Sequence, residues 1–171
     1  AIKLDTGDRL ISALLTTGSN DVICISRGGF ALRFHEKQVR SVGRTSRGVQ
    51  GIKLQKGDEL AGILRVEEEA QILLVTEFGY GKRVDYSHFN VHSRATKGQI
   101  IYKGLEKTGE VVTALSVRET DELVCITSQG IVLKLQLIEI PNQGKTASGV
   151  SVVNIEKPDF LVGVARVVNE D

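Results

Sequence analysis

The chain has 171 residues, of which 41% are hydrophobic and 25% charged, and its formal net charge at pH 7 is +1. This hydrophobic share can bury a core and excludes a disordered tail, while eighteen glycines beside two prolines indicate frequent tight turns. No apolar stretch approaches the roughly 20 residues that span a bilayer, and no secretory leader, disulfide framework or zinc spacing is recognisable, so we expect a cytoplasmic protein without membrane contact.

The predicted elements recur along the chain at intervals of 50 or 51 residues. Four similar segments, LISAL, LAGIL, VVTAL and LVGVA, begin at Leu10, Leu60, Val111 and Leu161. Glycines and basic residues keep the same spacing, at Gly29, Gly79 and Gly130, at Gly48, Gly98 and Gly149, at Arg33, Arg83 and Lys134, and at Arg44, Arg94 and Lys145. We therefore predict one repeat domain over residues 1–171, with repeats at about 2–52, 53–102 and 103–153, and with residues 154–168 supplying the first strand of a further unit.

The sequence pattern of each repeat predicts a set of short strands. The apolar runs VICI, ILLV and LVCI are too short for helices and rich in β-branched residues, and a turn with a glycine follows each run. In the first repeat we predict the strands Leu10–Thr16, Val22–Ser26, Phe30–His35 and Val49–Leu54. No segment of ten or more residues keeps a helical period, so the pattern predicts an all-β fold of about three propeller-like blades, each with four strands.

Charge is segregated along the chain in register with the repeats. Residues 33–53 carry a charge of +5 and residues 82–103 a charge of +4, whereas residues 134–149 carry only +1. The segments between them are acidic, with −4 for residues 54–81 and −3 for residues 104–133. If equivalent loops lie on the same side of the assembly, the basic segments form a stripe, which is the electrostatic footprint of a nucleic-acid-binding protein.

The loop VGRTSRG, which contains Arg44 and Arg47, shows what such a stripe could bind. Backbone N–H groups, small hydroxyls and guanidinium groups all donate hydrogen bonds to phosphate oxygens. Aromatic residues make up only 5% of the chain, which disfavours the stacking of single-stranded bases. The sequence therefore predicts binding to duplex DNA with little sequence preference.

The remaining reactive side chains do not form a catalytic or metal-binding pattern. Cys24 and Cys125 are two repeats apart and occupy one position of equivalent strands, so we interpret both as core residues. The histidines, His35, His88 and His92, occupy non-equivalent positions without cysteine or carboxylate partners at ligand spacing. No nucleophile, base and orienting group recur together, so we predict no catalytic residue, metal or cofactor in this domain.

Several longer segments resemble one known family. VRSVGRTSRGVQGIKLQKGDEL, FGYGKRV, HSRATKGQIIYK and GKTASGVSVV are similar to the C-terminal domain of the DNA gyrase A protein. The resemblance implies a β-pinwheel whose blades exchange strands and whose basic perimeter wraps DNA. It also implies a bacterial parent enzyme, an ATP-dependent type II topoisomerase that introduces negative supercoils. The implied partners are duplex DNA at the nucleoid, the remaining blades and catalytic core of the same polypeptide, and the gyrase B protein.

The seven-residue box of that family, Q-R-R-G-G-[KR]-G, occurs here only in degenerate form. Its equivalents are VGRTSRG, HSRATKG and QGKTASG, which keep the third-position base and the final glycine. The resemblance assigns DNA contact to the box residues Arg44, Arg47, Arg94, Lys97 and Lys145. Weaker candidates on the preceding strands are Arg33, Lys82, Arg83 and Lys134. Of these, Arg33, Arg83 and Lys134 could instead pack on a neighbouring blade and pair with carboxylates.

Two other interpretations remain open at this point. The C-terminal domain of topoisomerase IV has the same architecture with a degenerate box, and a propeller-like protein-interaction scaffold would use the stripe for an acidic protein. The absence of an intact box indicates that the chain resembles the later blades of the family domain. We therefore expect a fragment of a larger ring, with an unpaired blade edge that is prone to association.

Overall fold

The computed structural model describes residues 2–167. Eleven strands form in this range, in the order β1 (Asp21–Ser26), β2 (Phe30–His35), β3 (Leu60–Arg65), β4 (Gln71–Thr76), β5 (Tyr80–Asp85), β6 (Gln99–Ile100), β7 (Val111–Val117), β8 (Glu122–Thr127), β9 (Val132–Gln136), β10 (Val150–Ser151) and β11 (Leu161–Val167). Three 3₁₀ turns follow the hairpins, at Glu36–Gln38, Tyr86–His88 and Leu137–Glu139. The α-helix of this range is the single turn α1 (Leu105–Thr108). The all-β prediction is confirmed.

The strands form three antiparallel sheets, and each sheet draws on two successive repeats. The sheet orders are β3-β1-β2-β6, β10-β5-β4-β7 and β11-β8-β9. In every sheet the central hairpin belongs to one repeat, while the outer strands come from the repeat that follows. The prediction that one repeat makes one four-stranded unit is therefore wrong, and the strand exchange that the family resemblance implied is confirmed.

Two of the four strands predicted in the first repeat do not form. Val22–Ser26 and Phe30–His35 are present as β1 and β2, but Leu10–Thr16 and Val49–Leu54 are irregular. Their equivalents in later repeats become strands by pairing with the hairpin of the preceding repeat. Residues 2–20 contain no such hairpin, so these two segments have no edge to pair with.

The hairpin turns carry the glycines that the repeat pattern predicted. Gly29, Gly79 and Gly130 have φ angles of 78°, 77° and 81°. A side chain in this left-handed region is strained, whereas glycine adopts it freely. The turns hold each hairpin in a simple antiparallel register, for example with Cys24 opposite Leu32.

The hydrophobic core lies between successive sheets. On β4, Ile72 and Leu74 pack against β1 residues such as Ile23 in one cluster. The alternating β4 residues Leu73 and Val75 pack in a second cluster with residues of the third sheet. Because strand side chains alternate between faces, each central strand is apolar on both sides, and each blade depends on its neighbours for burial.

The limits of the repeats stay a prediction. Strand β11 pairs with β8, so a strand from the unit after the third repeat extends the third sheet. Residue 168, the end of that predicted strand, lies outside the described residues.

Candidate nucleic-acid interface

The three degenerate box segments form neighbouring loops. We call them the first, second and third box loops, residues 42–48, 92–98 and 143–149. The chain that leaves the first box loop contacts the second, since the Lys53 N–H donates to Thr96 O at 2.8 Å. The chain that leaves the second contacts the third, since the Tyr102 hydroxyl donates to the Ser148 carbonyl. The three loops therefore follow one another in a row.

In the second and third box loops, the third-position base holds the loop against the preceding repeat. Arg94 Nε donates to Gln38 O and its Nη1 donates to Gln50 O, both at 2.9 Å. Lys145 Nζ donates to His88 O at 3.0 Å from the same position of the third box loop. Arg94 and Lys145 are therefore half-buried positioning residues, and much of their donor capacity is used within the protein.

Three predicted contact residues have accessible charged groups. Arg44 is exposed and makes no hydrogen bond or ion pair within residues 2–167. Arg47 is exposed and forms a surface ion pair with Asp5 at 3.3 Å, which contributes little stability. Lys97 is exposed, and its ammonium lies 4.5 Å from the centroid of the Phe30 ring. These three side chains can reach a phosphate from the first two box loops.

Arg33 and Arg83 hold successive blades together. Arg33 Nη2 donates to Asp21 Oδ2 at 2.7 Å, and its Nη1 donates to Phe89 O at 3.2 Å. Arg83 is only 7% exposed, and its Nε donates to Ile140 O at 2.6 Å. Each side chain thus joins a hairpin to the 3₁₀ turn of the next repeat. These contacts match the alternative role, blade packing with internal pairing, and phosphate contact by the half-buried Arg33 stays a prediction.

Lys82 anchors the third box loop from inside. Its side chain is fully buried, and its Nζ donates to Gly144 O at 2.8 Å and to Lys145 O at 2.9 Å. The ammonium also lies 5.1 Å from the centroid of the Tyr102 ring. Burial lowers the pKa of Lys82 to about 8, because the charged form loses its hydration. The predicted phosphate contact is corrected, since a phosphate outside the protein cannot reach this group.

The third repeat offers little accessible positive charge. Lys134 occupies the position of Arg33 and Arg83 but is exposed, and it pairs with Glu122 at 2.6 Å. Lys145 is fastened as described above. The accessible positive charge of the box loops is therefore concentrated in the first two repeats.

Other exposed cations belong to the same basic segments, although the box pattern does not single them out. None of these four side chains makes a hydrogen bond or ion pair within residues 2–167: Lys37, Arg40, Lys53 and Lys103. The positive net charge of each basic segment in the sequence already indicates these residues, because they account for much of that charge. They extend the accessible cationic surface on either side of the box loops.

The cysteines are core residues, as predicted. Cys24 and Cys125 are 4% and 1% exposed. Burial raises the pKa of each thiol to about 11, so both stay protonated at neutral pH. Among residues 2–167, histidine, cysteine and carboxylate side chains do not gather in groups of three or more that could hold a metal ion. No helix in this part of the chain is long and apolar enough to cross a membrane.

Three successive stretches of the chain match one sequence family. Residues 20–67, 70–118 and 121–167 each match the family described as the DNA gyrase C-terminal domain, beta-propeller. The chain belongs to the DNA gyrase C-terminal domain family. The three matched stretches begin just before each central hairpin and end at or just after the outer strand that the next unit contributes.

Individual relatives and solved structures agree with this family membership. The DNA gyrase A protein of Pseudomonas aeruginosa is 37% identical over 98% of the chain, which spans only 18% of that relative's length. A solved DNA gyrase A C-terminal domain is 35% identical with a TM-score of 0.89, and the chain covers 57% of it. The C-terminal domain of DNA topoisomerase IV shares the fold, with a TM-score of 0.92 and 23% identity, and the chain covers 53% of it.

Proposed function

We propose that this gyrase C-terminal domain binds duplex DNA by its phosphates along the first and second box loops. It wraps the duplex as part of the gyrase A protein, and the whole enzyme uses the wrap during ATP-dependent negative supercoiling. The domain itself contributes binding and no catalytic step. Its other partners are the remaining parts of the same polypeptide and the gyrase B protein, at the nucleoid in the cytoplasm.

The observation that carries this proposal is the row of box loops with accessible cations. Arg44, Arg47 and Lys97 project from the first two loops, and further exposed cations flank them. Cationic donors in neighbouring loops can follow the continuous line of phosphates along a duplex, whereas a protein partner offers scattered acidic groups. The 35% identity to a gyrase domain, against 23% to the topoisomerase IV domain, favours gyrase as the parent.

Replacing Arg44 and Arg47 together with alanine should weaken duplex binding roughly tenfold or more, about 1.4 kcal/mol, because two charge-assisted phosphate contacts are lost. Fluorescence anisotropy with several unrelated duplexes of equal length measures the effect. We expect the same loss for every sequence, since phosphate contacts carry no base information.

The matched control replaces Arg65 and Arg118 with alanine. Both lie outside the box loops and pair with Glu67, at 3.2 and 3.4 Å, and the double change removes the same net charge. We expect duplex affinity to stay within about twofold, since these residues lie outside the box loops and the effect of a distant charge is screened by salt. An equal loss in both double variants, or a loss confined to one sequence, would contradict the proposed interface.

A further inference from the structure

The second box loop borders a cavity of about 260 Å³. The residues that line it supply an ammonium, an imidazole, a hydroxyl and an amide, and they are His92, Thr96, Lys97, Gly98 and Gln99. Carboxylates are missing from this lining among the described residues. An anion that enters the cavity therefore meets hydrogen-bond donors and positive charge, and no lining group of its own sign.

The backbone of the second box loop leaves donors free that the other two loops use. In the first loop the Ser46 N–H donates to the carbonyl three residues before it at 3.0 Å, and in the third loop the Ala147 N–H does so at 3.2 Å. At the equivalent position the Thr96 N–H makes no hydrogen bond within residues 2–167, and neither do the N–H groups of Lys97 and Gly98. These three residues all line the cavity, so their N–H groups are available to a phosphate oxygen.

Ala95 gives this open turn its shape. Its φ of 62° lies in the left-handed region, where an alanine side chain is strained. The equivalent residues of the other two box loops, Thr45 and Thr146, avoid that region. Backbone strain of this kind is concentrated at ligand sites, so the second loop differs from its neighbours in the way that a binding loop would.

A chain of polar contacts fixes the ring of His92. Lys145 Nζ lies 2.9 Å from Gln99 Oε1, and because an ammonium only donates, the Gln99 oxygen accepts this hydrogen bond. The amide nitrogen of Gln99 therefore faces His92, where it lies 2.8 Å from Nε2 and donates to it. In the uncharged ring the proton is thus on Nδ1, which makes no hydrogen bond within residues 2–167 and is a further free donor.

We propose that the cavity binds one phosphodiester group of the DNA duplex, with His92 Nδ1–H, the Lys97 ammonium and the N–H groups of residues 96–98 as donors. The inference rests on the proposed function and identifies the group of the duplex that the second box loop holds. Phosphate oxygens accept hydrogen bonds from all of these donors. The first and third box loops have Val42 and Gln143 in place of His92, so the imidazole contact is particular to the second loop.

Replacing His92 with alanine should weaken duplex binding about three- to tenfold, because one hydrogen bond to phosphate is lost and the others stay. The matched control is His88→Ala in the same repeat. His88 is also exposed and lies outside the cavity lining, and alanine keeps the carbonyl that accepts from Lys145. We expect the control to bind within about twofold of the wild type, since its ring makes no hydrogen bond within residues 2–167. Fluorescence anisotropy with one duplex compares the two variants.

The double Arg44→Ala and Arg47→Ala variant, titrated beside them, separates this inference from the proposed function. A loss in the double variant with full affinity in His92→Ala would overturn the cavity assignment alone. Unchanged affinity in both would overturn the proposed function as well. Equal losses in His92→Ala and His88→Ala would also overturn the cavity assignment. Unchanged unfolding midpoints will show that the variants fold.

Backbone amide signals in nuclear magnetic resonance test which group the cavity holds. Dimethyl phosphate carries the diester group of DNA, and its addition should move the amide signals of residues 96–98, with smaller movements in His92→Ala. Inorganic phosphate is the second probe. Signals that move with inorganic phosphate but not with dimethyl phosphate would assign the cavity to a free phosphate ion and overturn the duplex contact. Signals that move with neither would overturn the phosphate site.

Nitrogen spectra of the imidazole test the role of Gln99 as the positioning residue. In the uncharged ring of the wild type, Nδ1 of His92 should carry the proton. Gln99→Met removes the amide donor and should populate the form with the proton on Nε2. A wild-type ring that carries its proton on Nε2, or a ring that Gln99→Met leaves unchanged, would overturn the assignment of Nδ1–H as a phosphate donor.

Discussion

Replacing Gly79 with alanine will destabilise the fold by about 3 kcal/mol or more. Gly79 has a φ of 77°, and the added Cβ would lie 2.2 Å from the Val153 carbonyl oxygen. The backbone cannot easily move away, because Gly79 O accepts hydrogen bonds from the N–H groups of Val152 and Val153 at 2.9 and 3.1 Å. The substitution therefore breaks the junction between the second hairpin and the outer strand of the third repeat.

The equivalent Gly130→Ala substitution separates this clash from backbone strain. Gly130 has a φ of 81° but open space around an added Cβ, so only the left-handed conformation is penalised, by about 1 kcal/mol. Chemical denaturation compares the two variants. Equal losses would contradict the proposed docking of successive repeats.

Replacing Arg83 with methionine should cost about 2–4 kcal/mol of unfolding free energy. The change leaves the carbonyl of buried Ile140 without its donor and removes the bond from Arg83 Nη1 to Gln71 Oε1. Because a phosphate cannot reach this guanidinium, the variant that remains folded should bind duplex DNA with nearly unchanged affinity. Denaturation curves and DNA titrations on the same samples measure both effects.

Lys134→Met is the matched control for Arg83, since the two residues occupy equivalent positions of successive repeats. Lys134 is 60% exposed in its surface ion pair with Glu122, so its loss should change stability by less than about 1 kcal/mol. A stable Arg83→Met variant with a clear loss of DNA affinity would return Arg83 to the set of phosphate contacts.

The sequence predicted the local structure well but not the strand pairing. The apolar runs and turn glycines identify β1, β2 and their equivalents, because short β-branched runs and positive-φ turns are local properties. The partner of Leu60–Arg65 is not a local property. Its apolar pattern is the same whether it pairs with β4 of its own repeat or with β1 of the preceding one, which it does.

The charge pattern identified the basic box loops but could not separate accessible cations from buried ones. Arg44 and Arg94 occupy one position of the repeat, yet Arg44 is exposed whereas Arg94 donates to Gln38 and Gln50. The difference arises from acceptors on a neighbouring repeat, which a sequence pattern does not show. Lys82 is misleading for the same reason, since its acceptors are carbonyls of the third box loop.

The salt dependence of duplex binding tests the central claim most directly. Each phosphate contact contributes about −0.9 to the slope of log affinity against log salt concentration, so four or five contacts predict a slope of roughly −3 to −5. We expect this slope for duplexes of any sequence, with weaker binding of single strands of equal length. A flat salt response, or equal affinity for single strands, would contradict the assignment of the box loops to duplex phosphates.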